Sequence, residues 1–362
     1  MNFAFFGSSL VSAYWNGAAT YYRGLIKALA ARGHRIAFYE PDAFGRQQHR
    51  DIDDPDWARV VVYPPTIGGM ERMLDQAAAT ADILVKCSGV GVLDRELEAA
   101  VPARRRSGLS TIFWDVDAPA TLAAIQADCA DPMRLLIAHY DVVLTYGGGD
   151  KVVDAYTGLG ARQCVPIYNA VDPETHHPVP ARKEFVSTLS FLGNRLPDRE
   201  SRVDEFFLAA AAHLPTDILL LGGSGWEDKT LPANVKYAGH VYTRDHNAFN
   251  CSARAVLNIN RQSMASVGAS PPTRIFEAAG AGACIISDRW DGIAQFLEPG
   301  RELLLADSGA AVADLVAALT PAEARAIGKA ARRHVLAAHT YKHRAAEVEA
   351  VLEGRGRWRE AG

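Results

Sequence analysis

Short apolar runs recur along the whole chain, each followed by a segment of helical periodicity, and this alternation limits the fold more than any other feature. Residues 2–6, 35–39, 59–63, 83–87, 111–114, 142–145 and 163–167 read as strands, with helical patterns such as 20–33, 93–101 and 151–156 between them. Strands joined only through helices must run parallel, and a sheet covered by helices on both faces uses continuous Val, Ile and Leu runs. A second series starts at 188–191 and continues at 217–221, 235–242, 255–259 and 284–286, with 293–296 and 303–305 extending the sheet. At 362 residues the chain can bury two separate cores. The prediction is an α/β protein with two parallel-sheet domains, each binding ligands at the carboxyl ends of its strands.

The boundary between the two series falls where composition changes. Tyr168-Asn169-Ala170-Val171-Asp172 leads into a stretch with prolines at 173, 178 and 180, which reads as a semi-rigid connection. The expected division is a first domain over 1–170, a link over 171–183, a second domain over 184–340 and a C-terminal helix over 341–362 that crosses the domain interface. His176 and His177 read as solvated linker residues, with no third metal ligand nearby in sequence.

Charge narrows the function. A net charge of −4 leaves no electrostatic footprint for nucleic acid, and Arg104-Arg105-Arg106 reads as a solvated helix end. Five cysteines, odd in number and without metal-ligand spacing, read as reduced core residues of a cytoplasmic protein. No apolar stretch is long enough to predict an integral membrane segment. The loop after the first strand lacks a G-x-G-x-x-G, so a nicotinamide fingerprint is absent.

The chemistry concentrates between Ser270 and Asp288. Ser270 suits an N-cap and Pro271 the first helical position, which puts Thr273 and Arg274 in a first turn whose free N–H groups attract an anion. Glu277 follows Arg274 by three and Thr273 by four, so all three share a helix face, with the carboxylate one turn deeper, where it suits vicinal ribose hydroxyls. Arg261, at the end of the strand before, is expected to converge with Arg274 on one diphosphate and remove the need for a metal. Gly193 lets backbone approach a phosphate, and Arg195, Arg199 and Arg202 bring positive charge to the helix behind it, with Asp198 and Glu200 available to offset them. In the first domain, Asp115 and Asp117 follow a strand end; this pair admits metal binding, an acceptor-side or catalytic role, or helix capping.

Thr273-Arg-Ile-Phe-Glu-Ala-Ala-Gly-Ala-Gly-Ala-Cys-Ile-Ile-Ser-Asp288, with Phe296-Leu-Glu-Pro-Gly-Arg-Glu302 behind it, resembles the donor-binding segment of glycosyltransferases of the GT-B fold. With Phe191–Arg199, Leu257–Arg261 and Phe113–Pro119 included, the chain more closely resembles the CgeB-like, spore-maturation-type group of these enzymes. The resemblance implies two Rossmann-like domains facing a cleft and transfer of a sugar from a nucleoside diphosphate sugar, a UDP-sugar, to a small-molecule, glycan or protein acceptor. It implies no cofactor and no metal. Gly17, Gly193, Asn194, Arg199, Gly239, His240, Tyr242, Arg261, Ser270, Thr273, Arg274 and Glu277 become donor-binding candidates, with His240 or Tyr242 as the flat face for the base, and Asp115 and Asp117 become catalytic candidates. Retaining relatives often carry a second glutamate eight positions before the ribose-binding one, where this chain has Ala269. A sugar-nucleotide 2-epimerase or a non-catalytic sugar-nucleotide-binding protein on the same scaffold remains the alternative.

Overall fold

The structure of the protein is a computed structural model that describes residues 1–14 and 16–354. The chain forms two compact units, Met1–Tyr168 together with the segment from Tyr341 onward, and Asn169–Thr340. Each is a parallel sheet interleaved with helices, the α/β class expected from the alternation.

The first unit holds seven strands: β1 (Asn2–Phe6), β2 (Arg35–Pro41), β3 (Arg59–Tyr63), β4 (Ile83–Cys87), β5 (Ser110–Asp115), β6 (Val142–Thr145) and β7 (Cys164–Pro166). Their spatial order is β3-β2-β1-β4-β5-β6-β7, every pair parallel. Chain order reverses at β1, whose Phe3 lies opposite Ile36 on one side and Ile83 on the other. The core is aromatic: Phe5, Phe38, Tyr22 and Trp114 are at most 1% exposed, and side chains of this size contribute roughly 1.5–3 kcal/mol each on full burial. Trp114 Nε1 donates to the Tyr21 hydroxyl at 3.1 Å, which donates to the Ile167 carbonyl at 2.7 Å, so the polar atoms of these two rings are satisfied within the core. The C-terminal helix Tyr341–Leu352 packs on the helix Ala19–Ala31 of the same unit. Gly24 makes the approach possible, since a Cβ there would lie 2.2 Å from the Tyr341 ring. The last residues expected in this helix, 355–362, lie outside the described residues.

The second unit holds β8 (Ser187–Leu192), β9 (Leu219–Gly222), β10 (Val235–Gly239), β11 (Ala253–Asn258), β12 (Ile285–Asp288) and β13 (Leu304–Ala306), in the order β10-β9-β8-β11-β12-β13 and all parallel. Strands β9 and β10 extend from β8 on one side and β11 to β13 on the other. Between β8 and β11 is therefore the point of reversal, where loops leaving in opposite directions open a crevice.

Three local expectations change. Residues 293–296 are not a strand: Asp291-Gly292 makes a turn with Gly292 at φ 88°, and Ile293–Gln295 winds into a single 3-10 turn. The helix expected from Ser270 starts at Thr273, after Pro272 at φ −69° and ψ 151°. Pro271 precedes a second proline, whose ring bars it from helical angles, so the helix cannot begin before Pro272 has passed. The stretch 171–183 packs into the second unit: Val171 bridges to Thr340, and Gly280 has no room for a Cβ because Val171 and His176 press against it. His176 is 3% exposed and is not a solvated linker residue. Among the described residues no cysteines pair, Cys87, Cys164 and Cys284 are buried, and no helix is long and apolar enough to cross a membrane.

Candidate functional site

The site builds up from Arg274, on the second residue of the helix Thr273–Gly280. Its guanidinium lies at the reversal between β8 and β11, where Nε donates to the Leu192 carbonyl at 2.6 Å and Nη1 to Asn258 Oδ1 at 3.0 Å. It also covers the Phe191 ring, 4.7 Å from the centroid. The side chain is thus pinned by the ends of both strands and by the ring beneath it. Burial, and next the neighbouring Arg199 charge, push the guanidinium down to about 9, with Glu277 and Asp288 opposing. A cation that the fold disfavours in this way gains from an incoming anion.

Gly193, the first residue after β8, shows how close the two guanidinium groups come. A Cβ there would sit 2.8 Å from Arg274 Nη2 and 3.4 Å from Arg199 Nη1. Arg199 is anchored by its own Nη1 to the Asn194 carbonyl at 2.8 Å, and Asn194 Oδ1 accepts from the Ser224 amide at 3.0 Å. The loops after β8 and β9 are in this way tied together. They touch closely at Gly223, φ 119°, where a side chain would meet the Gly193 carbonyl at 2.3 Å. The loop after β10 joins them, with the Gly223 amide bonded to the Gly239 carbonyl at 2.8 Å and Ser224 Oγ 3.1 Å from His240 Nδ1. Tyr242 stands edge-on to His240, 4.6 Å between centroids, and is 55% exposed with the Arg244 guanidinium over its ring. An exposed ring at the end of these loops suits stacking on a planar ligand.

Other charged residues are differently employed. Arg261, expected to converge with Arg274, pairs with an acid of the helix after β8. Its Nε donates to Asp198 Oδ2 at 2.8 Å, and Ser263 Oγ donates to the same oxygen at 2.9 Å, because Asp198 opens the helix opposite the end of β11. Arg195 pairs with Glu200 and Asp228, and Arg202 with Asp288. The second guanidinium at Arg274 is therefore Arg199. Ser270 does not cap the helix; its hydroxyl donates to the Gly268 carbonyl at 3.0 Å and its residue is buried. Thr273 takes the first helical position, half-buried. Ala269 stands at φ 39°, in the left-handed region that an alanine occupies at a cost, held by its amide to the Asp291 carbonyl at 2.6 Å.

Glu277 lies one turn along from Arg274, 13% exposed. Its Oε1 is 3.9 Å from His176 Nε2 and its Oε2 3.8 Å from His246 Nδ1. Neither histidine was legible as a neighbour in the sequence, because the three positions come from the segment after Tyr168, the helix Thr243–Ser252 and the helix Thr273–Gly280. Asn258, which holds Arg274, was equally hidden; its one signal is a polar residue ending an apolar strand.

In the first unit, Asp115 is fully buried at the end of β5. Its carboxylate accepts from the Tyr156 hydroxyl, from Thr121 Oγ1 at 3.1 Å and from the Asp117 amide at 3.0 Å. Burial raises its pKa against the Tyr156 hydrogen bond. Those bonds hold the turn into the helix Ala118–Ala127, of which half-buried Asp117 is the N-cap. Gly17 is exposed before the helix Ala19–Ala31, and a Cβ there would meet nothing within 4 Å, so packing does not demand the glycine. Buried Asn16 organises that loop by donating to the Ser9 and Ser12 carbonyls.

Residues 199–350 match the model of a family described as glycosyl transferase-like. No curated protein matches the sequence significantly. Among solved structures, the chain is similar to sucrose-phosphate synthase from Thermosynechococcus elongatus, at 14% identity and a TM-score of 0.72 over 98% of both chains. It is similar to HepE of Anabaena in complex with UDP-glucose, at 13% identity and a TM-score of 0.67 over 98% of this chain and 100% of the other. T4 phage BGT in complex with its UDP-glucose substrate matches at 11% identity and a TM-score of 0.62, over 99% and 100% of the respective chains. The two parallel-sheet domains thus have the fold of GT-B glycosyltransferases.

Proposed function

We propose that the protein is a glycosyltransferase of the CgeB-like group that moves a sugar from a UDP-sugar to an acceptor, with guanidinium groups rather than a metal meeting the diphosphate charge. The observation that carries this reading is the pair Arg274 and Arg199, gathered around Gly193 at the reversal point of the second sheet. Two adjacent guanidinium groups in a buried setting repel each other, and a diphosphate between them relieves that repulsion. Relief grows as the sugar departs, because negative charge then builds on the leaving oxygen, and fixed donors are worth more to that state than to the ground state. The N–H groups of Thr273 and Arg274 at the helix start add to the same field. Glu277 accepts hydrogen bonds from the ribose diol, and His240 and Tyr242 border the base. On the acceptor side, Asp117 retains exposed surface whereas Asp115 is enclosed, so Asp117 is the candidate to orient or deprotonate the acceptor.

The test is release of free UDP from a panel of UDP-sugars with and without a cell extract as acceptor source. Release that requires extract, and that falls in Arg274→Ala and Arg199→Ala, supports the reading. Interconversion of two UDP-sugars without extract would make the protein an epimerase. Absence of UDP binding by calorimetry would remove the donor site altogether.

A further inference from the structure

Glu277 stands between two imidazoles at distances too long for hydrogen bonds, 3.9 Å to His176 Nε2 and 3.8 Å to His246 Nδ1. His246 Nε2 lies 3.3 Å from the Val241 carbonyl, to which only a protonated Nε2 can bond, so in the neutral ring Nδ1 turns a lone pair toward the carboxylate. His176 Nε2 is buried in a side chain 3% exposed, faces the same carboxylate and has no hydrogen-bond partner. The His246 lone pair and the carboxylate repel unless a cation joins them, and in its Nδ1–H tautomer His176 turns a second lone pair into the same gap. All three ligand atoms lie within 4.8 Å of one another. Around a Zn²⁺ at about 2.0–2.1 Å from each ligand, neighbouring ligand atoms stand roughly 3.3–3.6 Å apart, so three ligand atoms that lie within 4.8 Å of one another need draw in by at most about 1.5 Å.

We propose that His176 Nε2, His246 Nδ1 and a Glu277 oxygen bind a late first-row divalent cation, Zn²⁺ foremost, with a fourth position open. Two imidazoles and one carboxylate select such a metal over Mg²⁺ or Ca²⁺, which prefer oxygen-rich sites. The Val241 carbonyl supplies the outer hydrogen bond that fixes a ligating histidine in its tautomer. One corollary rests on the ribose-binding reading of Glu277: both its oxygens face the imidazoles, so cation and ribose draw on one carboxylate, and Zn²⁺ and UDP weaken each other's binding by the same factor.

The experiment uses the full chain, stripped with EDTA and dialysed, then titrated with Zn²⁺ against a chromophoric chelator and with Co²⁺ for its visible absorption. The expected result is one Zn²⁺ per chain and a Co²⁺ band of low-coordinate N/O type. His246→Gln and Glu277→Gln should each weaken Zn²⁺ about 100-fold or more, the upper end of what even outer-shell changes cost. His177→Gln, next in sequence but exposed, should leave the titration unchanged. His176→Gln should behave like His246→Gln, and His246 is the safer variant for folding because its side chain is 19% exposed. Lack of stoichiometric Zn²⁺ binding, or binding that survives both His246→Gln and Glu277→Gln in protein with a native circular dichroism spectrum, overturns the site. Zn²⁺ binding that UDP does not disturb upholds the metal site and refutes the ribose role of Glu277; UDP binding without Zn²⁺ binding does the reverse.

Discussion

A methyl group at position 193 is the smallest change that tests whether two guanidinium groups meet there. In Gly193→Ala the new Cβ would lie 2.8 Å from Arg274 Nη2, 3.1 Å from Phe191 Cζ and 3.4 Å from Arg199 Nη1. Comfortable contact begins near ~3.5 Å, so something must move. Arg274 cannot simply retreat, because its Nε and Nη1 are fixed on Leu192 and Asn258 and its plane rests on Phe191. Overpacking of this kind costs about 1–3 kcal/mol, which lowers the melting temperature of a unit this size by about 2–12 °C. It also displaces a guanidinium from the anion, and one lost charge-assisted hydrogen bond of about 1.5–3 kcal/mol raises the Kd for UDP about 10–150-fold. Scanning calorimetry and titration calorimetry with UDP read the two effects separately. Gly68→Ala is the control, since a Cβ there meets nothing within 4 Å and lies in the helix Ile67–Thr80, where alanine is favoured by roughly 0.5–1 kcal/mol. A Gly193→Ala protein that melts like the wild type and binds UDP with unchanged affinity would refute the convergence of Arg199 and Arg274 on this loop.

Arg199→Ala should weaken UDP binding at least tenfold more than Arg261→Ala, because Arg261 spends its charge on Asp198; calorimetric affinities in the opposite order would restore Arg261 to the diphosphate. Glu277→Ala should cost nucleotide binding about 2–4 kcal/mol if both ribose hydrogen bonds are made, and an unchanged UDP affinity would exclude it from the donor site. Excess EDTA should leave transfer intact, since the diphosphate charge meets guanidinium groups and any cation on Glu277 competes with the ribose; activity lost to EDTA and restored by Mg²⁺ or Mn²⁺ would put a cation on the diphosphate. Asp115 has its pKa raised by burial, so the folded state holds its proton more tightly than the unfolded one. Its contribution to stability is complete below the ordinary carboxylate value of about 3.9 and is lost as pH rises through the raised value. Asp115→Asn should therefore flatten the fall of the urea midpoint over that range, and an unchanged slope would contradict the assignment.

Strand positions were legible because a parallel sheet covered on both faces writes itself locally: a run such as Ile83–Cys87 needs no knowledge of its neighbours to be recognised, and every residue in it is buried, Lys86 by virtue of its pairing with Asp94 and Glu98. The segment Thr273–Gly280 was legible for a related reason, since spacing along one helix places Arg274 and Glu277 on the same side whatever surrounds them. Even there, two adjacent prolines moved the helix start past Ser270, a local steric rule overriding a capping preference. Partnership was another matter. Arg199, Arg202 and Arg261 are equivalent as letters, yet Arg202 pairs with Asp288, Arg261 with Asp198, and Arg199 stands beside Arg274. His176 looked like linker and is a buried neighbour of Glu277, because Val171 and Gly280 draw its segment onto the second unit. Coulomb and hydrogen-bond energies depend on distances of a few ångströms between residues tens of positions apart, and those distances exist only once the sheets have formed.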